Sequence, residues 1–582
     1  MKQFFKIFLS VFLSLVILFV LGIIVLVGMV GSMSSKKAPQ IEDKSVLVIS
    51  TGDNLQDQAK ENPFMLLNGG ASKMNGLNEL LAALKNAKTD ARIKGVYLKM
   101  EYNTNGWATN EEVKIALEDF KKSGKFIIGY GELISQKALY LGTVADKIYL
   151  NPAGVAEFKG LASTLMFYKG ALDKLEVEPQ IFFDGKFKSA IEPYKAEKIS
   201  EPNRLQLSTL QQTIYSHMLE ALKAKTGADT AALRRMAANI EVRSAEDAVS
   251  HKLVDGVKYQ DQVLDELRGK LALGKEDKIN FVTVSTYAET IETDYTQKDR
   301  IAVLYAEGEI VDGKSDENII ASETICKEII KLRKDKNVKA VVLRVNSPGG
   351  SALASDVILR ELDLLKKEKP LVVSMGDVAA SGGYYMACHA DSIFALPNTI
   401  TGSIGVFGIV FNLEKFLKNK LGITHDRVAT GPYADAPNMT RAMTDFEKKI
   451  VQDEIDNIYL RFKTHVSQGR RMSLEMVDSI AQGRVWAGED ALRIGLVDKI
   501  GNLDRAIQSA AAMAKLKDYR LVEFPKPIDP FERVIKTFTG DVRTSMVKAE
   551  MGEFYKVYEQ MKWLQKQQNK VLMKMPFELQ MN

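Results

Sequence analysis

Short apolar runs alternate along most of the chain with stretches in which apolar residues recur at helical spacing. The run that begins at Val372 predicts a buried strand, and the apolar positions from Ala379 to Ala387 follow helical spacing. Regular alternation of strands and helices is typical of an α/β fold, in which right-handed crossovers join parallel strands. Two longer helical regions, at about 200–240 and 440–482, interrupt this alternation and predict packing helices.

The pattern occurs twice. GVYLKM at 95–100 matches AVVLRV at 340–345, and the 22 residues from Gly131 match those from Gly376, at an offset of 245 in both cases (340 − 95 and 376 − 131). A long match without gaps predicts two homologous domains. The predicted boundaries are 45–300 for the first copy and 301–525 for the second.

Residues 1–37 differ from the rest of the chain, because Ile7–Val30 contains no charged residue. As a helix, this stretch would span the hydrocarbon core of a bilayer, which is about 30 Å thick. It exceeds the apolar region of a cleaved signal peptide, and no convincing cleavage site follows, so we predict a permanent membrane anchor. Lys2 and Lys6 favour a cytoplasmic amino terminus with the other domains outside, although a KK pair at 36–37 weakens that argument.

Composition narrows the class of protein. A net charge of +5 over 582 residues indicates neither a nucleic-acid partner nor an anionic surface. With only Cys326 and Cys388 the chain has no disulfide framework, and Cys388 is predicted to be a core residue. Residues 526–582 are predicted to form an amphipathic helical tail that docks on its own domain or on a neighbour. No metal-ligand cluster or cofactor loop is evident, so we expect no cofactor.

The residues that could carry chemistry are not repeated. Ser381 lies where the predicted strand gives way to a helix, next to unpaired N–H groups and the positive end of the helix dipole. Both would stabilise a serine alkoxide or the oxyanion derived from it, whereas the alternative interpretation is a helix-capping serine. The equivalent position in the first copy is Gln136. One site assembled from two degenerate halves is the simplest interpretation.

A glycine-rich loop follows the strand AVVLRV of the second copy. It reads NSPGGS at Asn346–Ser351 and aligns with the unrelated EYNTNG at 101–106. Gly349 and Gly350 would expose backbone N–H groups with no side chain in the way, which is what an oxyanion hole requires. A plain turn between strand and helix is the alternative interpretation.

Ser381 needs a general base, and a lysine of the first copy is one candidate. Lys188 aligns with Ala434 at an offset of 246 residues (434 − 188), so the first copy has a lysine that the second lacks. Burial can lower the pKa of a lysine by up to about 5 units, which leaves the amine neutral and basic. On a strand, Lys186 would face the same way as Lys188, so periodicity does not distinguish them.

The histidines offer another route to a base. His389 follows Ser381 on the same predicted helix, about 12 Å along its axis, which is too far for contact. His425 and Asp426 remain conceivable as the partners of Ser381 in a conventional triad.

Four motifs resemble one known family. They are LRVNSPGGS, MGDVAASGGYYMACHAD, TGSIGVFG at Thr401–Gly408 and GRVWAGEDALRIGLVDKIG at Gly483–Gly501. Together they resemble the bacterial signal peptide peptidase A family, and two copies behind an N-terminal anchor are similar to its long form. The resemblance extends from about residue 45 to 525. It implies an α/β fold of two tandem Clp protease/crotonase-like βαβ domains with added helices, preceded by one transmembrane helix.

The resemblance also implies a function. It implies a membrane-bound serine endopeptidase with a serine/lysine dyad, which degrades remnant signal peptides and other apolar peptides through an acyl-enzyme. It implies a bowl-shaped tetramer in the bacterial cytoplasmic (inner) membrane, with the catalytic domains on the periplasmic side. Carried over by motif, the expected site residues are the nucleophile Ser381, the general base Lys188, the lysine-orienting Ser403 and the oxyanion donors Gly349, Gly350 and Gly382.

The expected partners are apolar peptides bound as extended strands at a sheet edge, the lipid bilayer and further copies of the chain, with no nucleic acid. Two other classes of protein remain open. An acyl-CoA enzyme of the crotonase type would share the fold and the oxyanion glycines. A non-catalytic membrane scaffold would need no serine, and the loss of the serine from the first copy is consistent with such a role.

Overall fold

A computed structural model describes residues 3, 6–18, 21, 39–61, 73–74, 76–292, 295–315, 319–526 and 571–575. Residues 6–18 are helical. Within the described ranges, no helix is both long and apolar enough to cross a membrane. Much of the predicted anchor, Ile7–Val30, lies outside the described residues, so the anchor stays a prediction.

The first copy of the repeat is built on a six-stranded sheet in which all neighbouring strands are parallel. In chain order, the strands of this half are β1 (Ser45–Ser50), β2 (Lys60–Glu61), β3 (Lys73–Met74), β4 (Ile93–Lys99), β5 (Phe126–Ile134), β6 (Lys147–Ala156), β7 (Glu178–Asp184), β8 (Gly256–Val257) and β9 (Phe281–Thr283). The sheet order is β8-β6-β5-β4-β1-β9, while β2 pairs with β3 alone.

The second copy repeats this sheet with one addition. Its strands, in chain order, are β10 (Arg300–Glu307), β11 (Ile310–Val311), β12 (Ile320–Ala321), β13 (Val338–Ser347), β14 (Gly349–Ser351), β15 (Leu371–Ala380), β16 (Ser392–Ala395), β17 (Ile400–Gly402), β18 (Val406–Asn412), β19 (Val485–Ala487), β20 (Lys499–Ile500), β21 (Arg520–Phe524) and β22 (Leu572–Lys574). The main sheet runs β19-β17-β15-β13-β10-β21, and β16 pairs with β15 and with β20. Among these strands only β19 is antiparallel to its neighbour. Leu133 pairs with Val155, and Val378 with Ile400, so the pairing recurs 245 residues later and confirms the α/β repeat.

Helices pack on these sheets. In the first half they are α1 (Leu77–Ala87), α2 (Trp107–Lys121), α3 (Gln136–Gly142), α4 (Lys169–Leu175), α5 (Glu192–Lys195), α6 (Glu201–Thr226), α7 (Thr230–Ala238), α8 (Ala245–Ser250), α9 (Gln260–Lys270) and α10 (Val284–Ala288). In the second half they are α11 (Ser322–Lys334), α12 (Ala352–Lys366), α13 (Gly382–Ala387), α14 (Asp445–Arg470), α15 (Leu474–Ile480), α16 (Gly488–Arg493) and α17 (Leu503–Met513). The long helices α6 and α14 confirm the two predicted packing regions.

A third sheet joins the two copies. Its order is β12-β11-β14-β22-β18-β7, so a strand of the first copy, β7, closes a sheet of the second. β7 pairs with β18 in antiparallel register over seven positions, from Glu178–Asn412 to Asp184–Val406. Strand β22 comes from the tail. The prediction of a helix is therefore wrong for the described tail residues 571–575, because pairing with β14 and β18 holds them extended.

A buried charge cluster also crosses between the copies. Arg344 on β13 of the second copy donates to Asp57 at 2.9 Å and to Glu112 at 2.7 Å, and both carboxylates belong to the first copy. All three side chains are buried. Removing one partner of such a cluster leaves an uncompensated buried charge, which typically costs about 3–5 kcal/mol. The two copies therefore form one interdependent unit.

Candidate active site

Ser381 occupies a strained turn between β15 and α13. Its φ of 56° and ψ of −115° are unusual for a residue with a side chain, and its N–H donates to the Gly402 carbonyl at 2.8 Å. Its hydroxyl does not cap the helix. The interpretation of Ser381 as a capping serine therefore loses its main support, and the hydroxyl is available for other contacts.

Lys188 reaches the same place from the first copy. It follows β7 in a turn that lies against Gln482 and Gly483 of the second copy. The Phe187 N–H donates to the Gln482 carbonyl at 2.8 Å. A Cβ built on Gly483 would lie 2.7 Å from the Cβ of Lys188, so only glycine permits this close approach. The turn is thereby fixed by the second copy.

The two side chains meet in a buried site. The Lys188 Nζ lies 2.9 Å from the Ser381 Oγ, 3.0 Å from the Ser403 Oγ and 3.1 Å from the Ser403 carbonyl. Lys188 is 2% exposed and Ser381 0%. Burial lowers the pKa of Lys188 well below its ordinary value, and no described carboxylate opposes that shift. The lysine therefore has the environment of a neutral amine.

The competing bases lie elsewhere. Lys186 is exposed, with its Nζ 5.3 Å from the centre of the Phe187 ring. The expectation that Lys186 and Lys188 share a face is wrong, because β7 ends at Asp184 and both lysines lie in the following turn. His425 is exposed, and the His389 ring is bonded to Asp363 and to the His465 carbonyl. Across the described residues, no group of three or more His, Cys, Asp or Glu could hold a metal ion.

Gln206 supports the lysine turn and was missed in the sequence. Its Nε2 donates to the Phe187 carbonyl at 3.0 Å and to the Ser189 Oγ at 2.9 Å, and its Oε1 accepts from the Val485 N–H at 3.2 Å. One amide thus ties helix α6, the turn and strand β19 together. The available signal was a glutamine on the apolar face of a predicted packing helix.

The three candidate oxyanion glycines lie together beside Ser381. A Cβ built on Gly349, where φ is 96°, would lie 2.7 Å from the Gly382 nitrogen and 2.0 Å from the Met573 carbonyl oxygen. The same oxygen would be 3.1 Å from a Cβ on Gly382. Gly350 is paired with Met573. The three glycines therefore surround the Met573 carbonyl oxygen next to Ser381.

In the first copy, a glutamine with loop contacts stands at the position equivalent to Ser381. Gln136 accepts at Oε1 from the N–H groups of Lys159 and Gly160 at 2.9 Å, and its Nε2 donates to the Gly160 carbonyl at 2.9 Å. These bonds fix a loop and use both the oxygen and the nitrogen of the amide. The position equivalent to Ser381 is structural in the first copy.

Comparison with known proteins identifies related sequences. The profile of peptidase family S49 matches residues 119–274 and 363–517, and the Clp protease profile matches residues 292–401. The chain is 36% identical over 484 residues to Protease 4 of Salmonella typhi, covering 82% of this chain and 78% of that protein. It is 34% identical over 499 residues to the chloroplastic serine protease SPPA of Arabidopsis thaliana, covering 84% of this chain and 72% of that protein.

Another relative matches less than half of the chain. The chain is 34% identical over 254 residues to a putative signal peptide peptidase SppA of Enterococcus faecium, which covers 43% of this chain and 73% of that protein.

Proposed function

We propose that this chain, which belongs to peptidase family S49 and is a serine protease, is a membrane-bound endopeptidase. Its proposed substrates are apolar peptides, including remnant signal peptides. In this proposal Ser381 is the nucleophile and Lys188 is the general base. The observation that carries this proposal is the 2.9 Å contact between the Lys188 Nζ and the Ser381 Oγ in a buried site. An amine that burial keeps neutral can accept the serine proton.

The contacts of Lys188 suit the first chemical step. A neutral amine has two N–H groups, which can donate to the carbonyl and Oγ of Ser403, and one lone pair that points to the Ser381 hydroxyl. Lys188 takes the hydroxyl proton as the serine oxygen forms a bond to the peptide carbonyl carbon. The carbonyl electron pair moves to oxygen, and the N–H groups beside that oxygen stabilise its charge.

The same lysine completes the reaction. As the tetrahedral intermediate collapses, the peptide C–N bond breaks and the Lys188 ammonium protonates the departing amine. An acyl-enzyme remains on Ser381. Lys188, neutral again, takes a proton from water as the water attacks the ester, and returns that proton to the serine oxygen. One proton acceptor with no metal is sufficient for both halves of the reaction.

Strand addition supports the proposed substrate class. The space between β14 and β18 accepts an extended segment, and the side chains of Ile191 and Phe407 give that space apolar surface. Main-chain pairing supplies affinity for any extended peptide, while apolar contacts favour apolar side chains. The Enterococcus faecium relative is named as a putative signal peptide peptidase, which supports signal peptides as substrates. The uncharged stretch Ile7–Val30 supports membrane attachment.

We extend the proposal to a head-to-tail homo-oligomer. β7 of the first copy pairs with β18 of the second, whereas their repeat equivalents, residues 424–430 and 161–167, form no strand and have no ladder partner among the described residues. Residues 424–430 are exposed throughout, and Val428 is fully exposed. A second chain could pair its 161–167 with 424–430 of the first, repeating the internal contact between chains.

Labelling with a serine-reactive fluorophosphonate, together with hydrolysis of an apolar reporter peptide, tests the catalytic proposal. We expect both in the wild type and neither in Ser381→Ala, which loses one hydrogen bond, to Lys188, at a cost of about 0.5–1.5 kcal/mol of stability. Gln136→Ala, the equivalent change in the first copy, is the matched control and should retain both. Peptidase activity within tenfold of wild type in folded Ser381→Ala would exclude this serine as the nucleophile.

A further inference from the structure

Positive charge is concentrated at one edge of each main sheet. Parallel strands all begin at the same edge, so the turns that lead into β15, β13, β10 and β21 lie side by side. From five residues before each of these strands to its second residue, the sequence has 12 Lys or Arg and four Asp or Glu, a net charge of +8 (12 − 4). The same segments of β5, β4, β1 and β9 in the first copy carry +3 (8 − 5).

The charge of the chain is therefore segregated. The whole chain carries +5, so everything outside these eight segments carries −6 (5 − 11). The net charge of the whole chain did not indicate an anionic partner, because acidic residues elsewhere offset the basic segments. We call residues 295–301, 333–339, 366–372 and 515–521 of the second copy the basic patch.

The cations of the basic patch are close together, and many of them are free. Arg300, Val338 and Arg520 lie level with one another, and neighbouring strands are about 4.8 Å apart, so the four strand ends fall within roughly 15 Å. Two Debye lengths at physiological salt cover about the same distance, so the potentials of these cations add. Six exposed lysines of the patch form no side-chain ion pair or hydrogen bond with any described residue: Lys298, Lys334, Lys336, Lys367, Lys515 and Lys517.

The carboxyl edges of the two sheets meet at the junction of the copies. The Asp57 N–H, beyond β1, donates to the Oε1 of Glu307 at the end of β10, at 3.3 Å. The Gln58 Nε2 donates to the carbonyl of Pro525, just beyond β21, at 3.2 Å. The amino edges, where the basic patch lies, are therefore at the other end of both sheets.

Helix α1 shows that the two sheets also point the same way. It runs from the carboxyl edge of its own sheet towards the amino edge, and it contacts the second copy near both of its ends. The Asn78 Nδ2 donates to Glu523 at 2.8 Å, and the Lys85 Nζ lies 3.3 Å from Asp504. The copies therefore lie side by side, and both amino edges face the same side of the protein.

The chain enters the fold on that side. Strand β1 begins at Ser45 and the predicted anchor ends at Val30, so 14 residues separate them (44 − 30). Fully extended, they would span at most about 50 Å. The predicted anchor thus tethers the protein to a bilayer by its amino edge. Anionic headgroups attract clusters of Lys and Arg that lie close to the membrane surface.

We propose that the basic patch lies on anionic lipid headgroups and fixes the orientation of the protein on the bilayer. This inference rests on the proposed function, from which it takes membrane attachment and the role of Ser381. Ser381 follows β15 at the end opposite the patch, and the 10 residues of that strand extend over about 33 Å. The active site is then held roughly 30 Å from the headgroups, and its substrates are peptides that have left the bilayer.

Energy transfer in nanodiscs tests this orientation on the full-length chain. Asn337→Cys places an exposed thiol in the basic patch, whereas Cys326 and Cys388 are buried, so a donor dye attaches at position 337 alone. The nanodiscs contain phosphatidylcholine with about 30 mol% phosphatidylglycerol and an acceptor dye on lipid headgroups.

Asp445→Cys is the matched control. Asp445 is exposed at the start of α14, while Arg470 at the end of that helix pairs with Asp498, which precedes β20 at the amino edge. The 26 residues of α14 span about 39 Å, so position 445 lies far from the proposed membrane surface. Transfer from position 337 should exceed transfer from position 445 by about twofold or more.

Charge reversal tests the cause of the orientation. Lys334→Glu, Lys336→Glu, Lys367→Glu and Lys517→Glu together should lower the transfer from position 337 to that from position 445. Nanodiscs of phosphatidylcholine alone should do the same, as should about 1 M NaCl, where the Debye length is about 3 Å. Reversal of four exposed lysines outside the patch should leave the transfer unchanged; they are Lys174, Lys198, Lys415 and Lys418. Both reversal variants should hydrolyse a soluble reporter peptide as the wild type does, which shows that they are folded.

Failure of the inference and failure of the proposed function give different results. Equal transfer from the two positions in a chain that co-elutes with nanodiscs would overturn the orientation and leave the membrane-bound peptidase standing. Transfer from position 337 that survives reversal of the patch would do the same. A chain that does not co-elute with nanodiscs would overturn membrane attachment and this inference with it. Binding of an acidic protein or a nucleic acid to the patch, with no effect of phosphatidylglycerol on transfer, would assign the patch to that partner instead.

Discussion

Replacing Gly483 by alanine tests whether the position of Lys188 limits catalysis. Gly483 has a φ of 74°, and a Cβ there would lie 2.7 Å from the Cβ and nitrogen of Lys188. Ordinary contact begins at 3.4 Å, so the lysine must retreat by roughly 0.7 Å (3.4 − 2.7). The Lys188 Nζ now lies 2.9 Å from the Ser381 Oγ. A retreat of that size would lengthen this distance to about 3.6 Å, which is too long for a useful hydrogen bond.

The expected loss follows from that displacement. A misplacement on the order of 1 Å costs about 10²-fold in rate, and complete loss of a general base costs about 10²–10⁴-fold. We therefore expect Gly483→Ala to lower kcat by roughly 10²-fold. Alanine at positive φ also destabilises the fold by about 1–2 kcal/mol, so stability must be controlled separately.

Gly495→Ala provides that control. Its φ of 80° imposes the same backbone penalty, but its Cβ would meet only the flexible end of Met472, at 2.5 Å. Urea unfolding should show similar losses of stability in both variants. Steady-state hydrolysis of an apolar peptide should show the large fall in kcat only in Gly483→Ala. Equal kcat values in the two variants would refute the claim that this contact positions the base.

Activity should rise with pH along one limb, because the base form of Lys188 is the neutral one, and the lowered pKa puts the midpoint below the ordinary value of about 10.4. Lys188→Arg should be inactive at every pH in a peptide-hydrolysis assay, because its guanidinium stays protonated. The activity of Lys186→Ala should stay within threefold of wild type. Activity in Lys188→Arg would show that another residue is the base. Val428→Pro should reduce the sedimentation coefficient, because proline removes a strand donor from 424–430, and an unchanged oligomer would rule out pairing with 161–167.

Local pattern predicted the sheets and the asymmetry of the site. The repeat aligns Ser381 with Gln136, the NSPGGS loop with EYNTNG and Lys188 with Ala434, and together these differences indicated one site per chain. The pairing of β7 with β18 was not predictable, because periodicity describes a segment and contains no information about a partner more than 200 residues away. For the same reason, the sequence pattern predicted that Lys186 and Lys188 point to the same side of a strand, although both lie in a turn.

The tail illustrates the same limit. Residues 571–575 follow a sequence with helical spacing, and local propensity therefore predicted a helix through them. Their extended form depends on pairing with the edges of β14 and β18. These strands are remote in sequence, so local pattern does not reveal the pairing. Gln206 was missed because its role consists of hydrogen bonds to two distant segments.

The division of the site between two halves of the chain has a consequence for biosynthesis. Ser381 is made 193 residues after Lys188, a delay of about 10–40 s at ordinary rates of translation. Asp57 and Glu112 are likewise made long before Arg344, so the nascent first half keeps these carboxylates hydrated until the second half arrives. On the proposed mechanism, a growing chain holds the lysine without its serine and has no peptidase activity until both halves have docked.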